Sequence, residues 1–192
     1  MTALAEASRH LIPAFWLIWL VGWLVAARNV KRTQWREPLH LAVYNRLPVL
    51  LGVALLLAPG RLPLVVNERF VWAGPAPAAL GVVLVGAGLL FAGWARWHLG
   101  RNWSGEVTVK EGHMLVTSGP YRWVRHPIYT GLLLALIGNA LAIGSARGFV
   151  GAALILAGFM IKLSVEEARM RETFADYEAY ARRTARLIPG VY

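Results

Sequence analysis

Long apolar blocks dominate this chain of 192 residues and limit the folds open to it. A helix needs about 20 residues to cross the hydrocarbon core of a bilayer. The apolar blocks lie at about Leu11–Ala27, Leu47–Val66, Ala78–Trp97, Ile128–Ile143 and Gly148–Leu163. Charged residues make up only 16% of the chain, against about 25% in an ordinary soluble domain. The sequence therefore predicts an all-α integral membrane protein with about five transmembrane helices.

The last two blocks are short, and only the four residues GSAR separate them. They predict a short C-terminal helical hairpin, partly buried by the other helices. Because the outer ends of such a hairpin meet at one membrane face, residues 125–129 should lie beside residues 162–167. We place the N-terminal transmembrane helices in residues 1–97. Residues 98–192 would hold a loop, the hairpin and an amphipathic helix within 164–192 that breaks near Pro189.

Small residues at a spacing of four recur on two of the blocks. Gly88 and Ala92 form one such pair, and Gly131 and Ala135 form the other. Small residues at this spacing let membrane helices approach closely. We therefore interpret them as packing positions rather than as chemistry.

The basic residues predict how the chain is oriented. Sixteen of the 20 lie between the first and second blocks, between the third and fourth, or around and after the end of the fifth. The four on the other side are Arg9, Arg61, Arg69 and Arg147. Because cytoplasmic loops carry the excess of Lys and Arg, this asymmetry places the N-terminus outside and the C-terminus in the cytoplasm. The net charge of +10 then reflects membrane topology. The sequence has no recognised nucleic-acid-binding motif, so we do not expect nucleic-acid binding.

The stretch GPYRWVRHPIYTG, residues 119–131, places charge directly before an apolar run. Pro127 suits the first turn of a helix, with His126 at its cap. A helix start carries partial positive charge and unpaired amides, so it binds anions. Arg125 adds a planar fork suited to a carboxylate. The alternative is a basic anchor at the membrane interface, with Tyr121, Trp123 and Tyr129 as its aromatic belt.

Two adjacent acids follow the fifth block. Acids at a membrane boundary are unfavourable without partners. Ser164 and Glu167 have the spacing of a capping box, which would account for Glu167. Glu166 lacks such an explanation, so cations and acids converging here could hold a zwitterionic ligand. The alternative is a simple Arg–Glu ion pair.

Several kinds of site are excluded or disfavoured by the sequence. The chain has no cysteine, which rules out disulfides and thiolate chemistry. It has no dinucleotide-binding glycine motif, no P-loop and no HExxH motif. The spacing of His98, His113 and His126 does not suit a metal, so we expect no metal site.

The C-terminal half of the chain resembles the isoprenylcysteine carboxyl methyltransferase family of membrane enzymes that use S-adenosylmethionine. The matching pieces are LGRNWS at 99–104, HMLVTSGPYRWVRHPIYTG at 113–131, EE at 166–167 and FADYEAYARRTARLIPG at 174–190. Related membrane enzymes methylate phospholipid amines or small thiols. Some membrane sterol reductases have a similar Arg-His-Pro-x-Tyr segment.

The resemblance implies a cytoplasmic S-adenosylmethionine site before and at the fourth helix and after the fifth. The cofactor contacts that it implies are Glu106, His113, Met114, Leu115, Val116, Tyr121, His126, Pro127, Ile128, Tyr129 and Glu166. It implies a catalytic role near the acceptor for Arg125, which would also bind substrate. Lys162 stands where the family has a substrate-facing arginine, which weakens bidentate carboxylate binding there.

The reaction expected from the resemblance is carboxyl O-methylation of an isoprenylcysteine-like or other lipophilic acceptor. A carboxylate is already a nucleophile at neutral pH, whereas a thiol or ammonium must first lose a proton, for which His113 or a glutamate could serve as the base. Phospholipid N-methylation and small-thiol S-methylation remain alternatives, as does a sterol-reductase-like NADPH oxidoreductase. The expected partners are the methyl acceptor and membrane lipids, without nucleic acid.

Overall fold

The computed structural model describes residues 3–28, 33–36, 38–58, 65–103, 108–110 and 115–190. Its helices are α1 (Ala3–Ala27), α2 (Leu39–Leu57), α3 (Pro75–Leu99), α4 (Pro127–Ile143), α5 (Ala146–Thr173) and α6 (Tyr177–Ala181). Within these ranges, four helices are long and apolar enough to cross a membrane, namely α1, α2, α3 and α5. Helix α4 is apolar but shorter, with 17 residues. The predicted all-α membrane class is thus confirmed.

Two predicted boundaries are wrong. Helix α2 begins at Leu39 after Pro38 and ends at Leu57. The helix therefore starts before the apolar block at 47–66 and ends inside it. Helix α5 continues past Leu163 to Thr173, because residues 164–173 contain no Gly or Pro and several strong helix formers. The predicted amphipathic helix over 164–192 is therefore the last part of α5 followed by the short α6.

A small antiparallel ladder, which the sequence did not predict, joins β1 (Thr33–Arg36) to β2 (Thr108–Lys110). Thr33 lies opposite Lys110, and Arg36 lies opposite Thr108. Strands this short carry too few alternating residues to show the period of two that marks a strand.

Helices α3 and α4 approach each other through their glycines. A Cβ atom built on Gly131 would lie 2.6 Å from the backbone nitrogen of Ala92. A Cβ atom on Gly138 would lie 2.7 Å from the carbonyl oxygen of Gly81. Neither position has room for a side chain, so the predicted role of Gly88, Ala92, Gly131 and Ala135 in helix packing is confirmed.

Helices α2 and α5 meet in the same way. A Cβ atom on Gly158 would lie 2.6 Å from the carbonyl oxygen of Asn45. A Cβ atom on Gly52 would lie 2.6 Å from the carbonyl oxygen of Gly151. Each arm of the α4–α5 hairpin therefore packs closely against a helix from the N-terminal half.

The turn of the α4–α5 hairpin is short, and backbone hydrogen bonds from the chain before α3 hold it in place. Gly144 ends α4 in the left-handed conformation (φ 68°), and its N–H donates to the carbonyl of Ala140 at 2.8 Å. Its own carbonyl accepts hydrogen bonds from the N–H groups of Phe70 (3.0 Å) and Val71 (3.1 Å). Only Gly adopts this backbone without a steric penalty. The turn fixes both arms so that the start of α4 lies beside residues 162–167 of α5.

A buried arginine ties the ends of α1 and α3. Arg96 donates to the carbonyl of Gly100 and to the carbonyl of Ala26, both at 2.8 Å. Its guanidinium carbon lies 4.4 Å from the centre of the Trp103 ring and 5.8 Å from that of Trp23. These contacts keep the chain that leaves α3 beside the end of α1, on the same side as the start of α4.

Candidate active site

The start of α4 is shaped by proline and by a distant backbone segment. His126 is the N-cap residue of α4, and Pro127 is its first residue, as predicted. Val124 forms a parallel bridge with Ala185. The N–H of Arg125 donates to the carbonyl of Ala185 at 2.8 Å, and that of His126 donates to the carbonyl of Arg186 at 3.2 Å. The segment after α6 thus lies directly against the residues that precede α4.

The carboxylate of Glu167 is the centre of a cluster of basic side chains. Its Oε1 atom lies 2.9 Å from Nε of Arg125, 3.0 Å from Nε2 of His126 and 3.4 Å from Nε of Arg186. Its Oε2 atom lies 3.5 Å from a terminal nitrogen of Arg171. The Glu167 side chain is only 5% exposed, so these partners replace the water that an acid at this depth would otherwise require.

This cluster changes the interpretation of Glu167. The predicted capping box is wrong, because Ser164 lies within α5 and its hydroxyl donates to the carbonyl of Met160. The Arg–Glu ion pair that the sequence offered as an alternative is what forms at Glu167, whereas its further partner Arg186 was not predicted. A sequence signal for the burial of Glu167 was present: it follows the apolar Leu163 by four residues, so a continuous helix places both on one face, and Leu163 is fully buried.

Arg125 also holds the segment after α6. One terminal nitrogen of its guanidinium donates to the carbonyl of Ala181 at 3.0 Å and to that of Thr184. Its side chain is 13% exposed. The fork that the sequence suggests for a ligand carboxylate is engaged with Glu167 and with these backbone carbonyls.

A second group of polar side chains surrounds Glu166. Its Oε1 atom accepts a hydrogen bond from the Tyr129 hydroxyl at 3.1 Å and lies 3.9 Å from Nζ of Lys162. Its Oε2 atom lies 3.7 Å from Nδ1 of His126. The hairpin thus brings residues 125–129 beside 162–167, as predicted. Since the Glu166 side chain is 21% exposed, a ligand can reach it.

His126 links the two acids. Its Nε2 atom faces Glu167 and its Nδ1 atom faces Glu166. The cap position and the two carboxylates fix the orientation of the imidazole ring. Helix α4 supplies His126, Pro127, Ile128 and Tyr129 in sequence, whereas α5 supplies both acids.

The loop before α4 adds a mostly apolar wall. Val116 packs against the buried cluster of Ala95, Tyr121 and Ile128, and Leu115 is half-buried. The Tyr121 hydroxyl donates to the carbonyl of Ala95 at 3.4 Å, and burial raises the pKa of Tyr121 above its ordinary value. The predicted contacts Glu106, His113 and Met114 lie outside the described residues.

The hydroxyl of Tyr180 fastens α6 to this wall by donating to the carbonyl of Tyr121 at 2.7 Å. Thr130 makes a comparable link, because its hydroxyl donates to the carbonyl of Leu187 at 2.7 Å. The site is therefore assembled from α4, α5, the loop before α4 and the segment that includes α6. Among the residues that the structure describes, no three His, Cys, Asp or Glu side chains are grouped to hold a metal ion.

Comparisons with known proteins agree with the resemblance seen in the sequence. The family model for phospholipid methyltransferase matches residues 77–177, which include α4 and the whole of α5. A probable protein-S-isoprenylcysteine O-methyltransferase from Oryza sativa subsp. indica is 30% identical over 116 residues, covering 58% of this chain and 61% of that protein. The protein-S-isoprenylcysteine O-methyltransferase of Schizosaccharomyces pombe is 30% identical over 125 residues, covering 63% of this chain and 52% of that protein.

A bacterial relative has a different name. The cobalt-zinc-cadmium resistance protein CzcN of Cupriavidus metallidurans is 30% identical over 121 residues, covering 62% of this chain and 51% of that protein. The chain thus spans between about half and three fifths of the length of these three relatives.

Proposed function

Because this chain belongs to the phospholipid methyltransferase family, we propose that it is a membrane methyltransferase that uses S-adenosylmethionine. The observation that carries the proposal is the convergence of His126, Tyr129 and Lys162 on the carboxylate of Glu166. This group combines the ammonium of Lys162, an imidazole and a phenol hydroxyl with a partly exposed acid. It therefore suits a ligand that carries both signs of charge at one end.

The side chains present fit the three parts of S-adenosylmethionine. The start of α4 and His126 suit the carboxylate of its amino-acid end. Glu166 suits the ammonium group or a ribose hydroxyl. Leu115, Val116 and Tyr121 offer apolar and aromatic surface to the adenine. Glu106, His113 and Met114 complete the proposed set of contacts, together with Pro127, Ile128 and Tyr129.

The bound cofactor supplies a methyl group activated by a sulfonium. The task of the protein is then to hold the acceptor in line with that group, and orientation is worth several orders of magnitude in rate. Arg125 is the proposed residue near the acceptor, and Glu167 and the carbonyls of Ala181 and Thr184 hold its side chain in place. Lys162 is the second proposed contact with the acceptor.

We propose a carboxylate on an isoprenylcysteine-like or other lipophilic molecule as the acceptor. A carboxylate needs no general base, and the exposed apolar faces of the long helices suit an acceptor that arrives from the membrane. The description of the matching family favours a second candidate, a phospholipid amine. We further propose that the N-terminus lies outside and that the site and the C-terminus are cytoplasmic.

Ligand binding to the detergent-purified full chain tests the cofactor. S-adenosylhomocysteine should raise the thermal unfolding midpoint of the wild type and have little effect on Glu166→Gln or His126→Ala. Glu172→Gln is the matched control, since Glu172 lies on the same helix and its side chain is 64% exposed. Stabilisation by NADPH without S-adenosylhomocysteine would instead indicate a reductase.

Two further measurements test the acceptor and the topology. Lipid extract incubated with labelled-methyl cofactor should yield product whose label is released by mild base if an ester forms, whereas base-stable label would favour the amine. A reporter fused after Tyr192 should be active in the cytoplasm, and external activity would overturn the proposed orientation.

A further inference from the structure

A basic groove has Glu167, but not Glu166, in its lining. Its volume is about 760 Å³, within the ~300–1,000 Å³ of typical ligand sites. It is lined by Arg125, Ser164, Glu167, Arg171, Arg182, Arg183, Thr184, Ala185, Arg186 and Gly190. Apart from Arg125, this lining shares no residue with the proposed cofactor and acceptor contacts. The groove is therefore a separate surface of the same region.

The lining of the groove carries a strong excess of positive charge. Five arginines face a single acid, and that acid, Glu167, is already surrounded by Arg125, His126, Arg171 and Arg186. Glu178 outside the groove pairs with Arg171 at 2.6 Å and offsets one more charge. A substantial positive excess remains after both acids are counted. A ligand of matching charge would be a multiply charged anion rather than a zwitterion.

The arginines differ in depth. Arg125 and Arg186 are 13% and 10% exposed and form the floor, where Arg186 also donates to the hydroxyl of Ser164 at 3.0 Å. Arg171, Arg182 and Arg183 are exposed at the mouth. Guanidinium groups bind phosphate oxygens through paired hydrogen bonds. The mouth thus presents the donors best suited to a phosphate group.

The position of the groove indicates where such a phosphate would come from. Leu163 is fully buried and is the last residue of the apolar block of α5, and Ser164, the next residue, lines the groove. The groove therefore begins where α5 leaves the apolar layer, which is the depth of lipid headgroups. Basic pockets at this depth on the cytoplasmic side bind anionic headgroups.

We propose that the groove binds the phosphate group of an anionic membrane lipid, with Arg182 and Arg183 as its outer ligands. Its outer ligands, Arg182 and Arg183, are not among the proposed cofactor and acceptor contacts, and Arg125 is the one residue that the groove shares with them. Lipid binding would also hold the segment after α6 against the membrane surface. The names of the relatives include no such site.

The test compares two double variants of equal charge change in the detergent-purified full chain. Arg182→Gln/Arg183→Gln removes the outer ligands, and Arg28→Gln/Arg101→Gln removes two exposed arginines elsewhere. Short-chain phosphatidate is titrated while the thermal midpoint is followed, with phosphatidylcholine of the same chain length as the neutral lipid. The groove variant should bind phosphatidate about 30-fold more weakly than the wild type, about fivefold for each arginine lost. The control variant should bind like the wild type.

Three outcomes would overturn the proposal: equal weakening in both variants, equal stabilisation by phosphatidylcholine, or no stabilisation by phosphatidate. Inorganic phosphate is titrated in parallel to identify the source of the phosphate. If it competes at the same concentration as the lipid, the phosphate site stands and its ligand is a soluble anion. S-adenosylhomocysteine binding should persist in the groove variant, which separates this result from failure of the proposed cofactor site.

Discussion

Helix α4 is held along its length by close uncharged packing and at its start by ion pairs. Along its length it packs on α3 through glycines, where a Cβ atom on Gly131 would meet the backbone of Ala92. At its start it is held by charge, because Arg125 and His126 both reach the carboxylate of Glu167. The uncharged contact fixes where the helix lies. The charged contact fixes the orientation of the side chains that would meet a ligand.

Removing Glu167 should have the largest effect on this arrangement. In Glu167→Ala, several buried basic groups lose their shared partner, and breaking a buried ion pair costs about 3–5 kcal/mol. Denaturant unfolding of the detergent-solubilised protein should show that the free energy of unfolding falls by this amount. Glu172→Ala is the control, because its exposed pair with Arg169 is worth only about 0–1 kcal/mol. Equal losses in the two variants would mean that the cluster adds nothing beyond a surface ion pair.

Filling the glycine contact should have the next largest effect. The new methyl group in Gly131→Ala would collide with the backbone of α3, and overpacking of this kind costs about 1–3 kcal/mol. Gly93→Ala is the matched control on α3, since a Cβ atom there meets nothing within 4 Å. The free energy of unfolding of Gly93→Ala should rise by about 0.5–1 kcal/mol in the same experiment. Destabilisation by Gly93→Ala would contradict the distinction between contact and open positions.

Two tyrosines of α6 test how much a single hydrogen bond stabilises the region around the charged start of α4. Both are buried, but the hydroxyl of Tyr180 donates to the carbonyl of Tyr121, whereas that of Tyr177 has no hydrogen-bond partner in the described part of the chain. Tyr180→Phe should therefore lose about 1–2 kcal/mol of unfolding free energy, and Tyr177→Phe should lose none. A similar loss in both would show that the bond to Tyr121 does not matter.

The same bond should show a defined pH dependence. Burial raises the pKa of Tyr180 to about 12, above the value of about 10 of an exposed tyrosine. The folded state then holds this proton more tightly than the unfolded state. The difference in stability between wild type and Tyr180→Phe should be constant below about pH 10 and should shrink as the pH rises towards about 12. A difference that grows over this interval would contradict the burial of the phenol.

The smallest effect on stability is expected at the ligand-facing side. Tyr129→Phe removes the hydroxyl that donates to Glu166 and should cost about 0.5–1 kcal/mol of unfolding free energy. S-adenosylhomocysteine affinity should fall several-fold, since Glu166 loses the group that orients it. Tyr44→Phe, at an exposed position of α2, should change neither quantity. An unchanged affinity in Tyr129→Phe would remove Tyr129 from the proposed cofactor site.

The sequence predicted the hairpin and the meeting of residues 125–129 with 162–167, because apolar length and a four-residue link are local features. It also predicted His126 as the cap and Pro127 as the first residue of α4, since proline restricts the backbone directly. The end of α5 was missed because the polar residues after Leu163 look like the start of a new segment. Their helix-forming composition nevertheless continues α5 to Thr173.

The role of Glu167 could be predicted only in part. The hairpin predicts that Arg125 lies beside Glu167, whereas no spacing rule joins Glu167 to Arg186 in the segment after α6. The carbonyls of Ala181 and Thr184 are less predictable still, because any residue offers a carbonyl and only the folded path selects these two.

The bridge between Val124 and Ala185 also has a consequence for the order of events during synthesis. Residues 185–187 leave the ribosome after α1 through α5 have been made and can already be inserted in the membrane. Until then, the N–H groups of Arg125 and His126 lack the carbonyls that they meet in the finished protein. The start of α4 thus reaches its final form only after residues 185–187 have been made, so a nascent chain would acquire its ligand site later than its long helices.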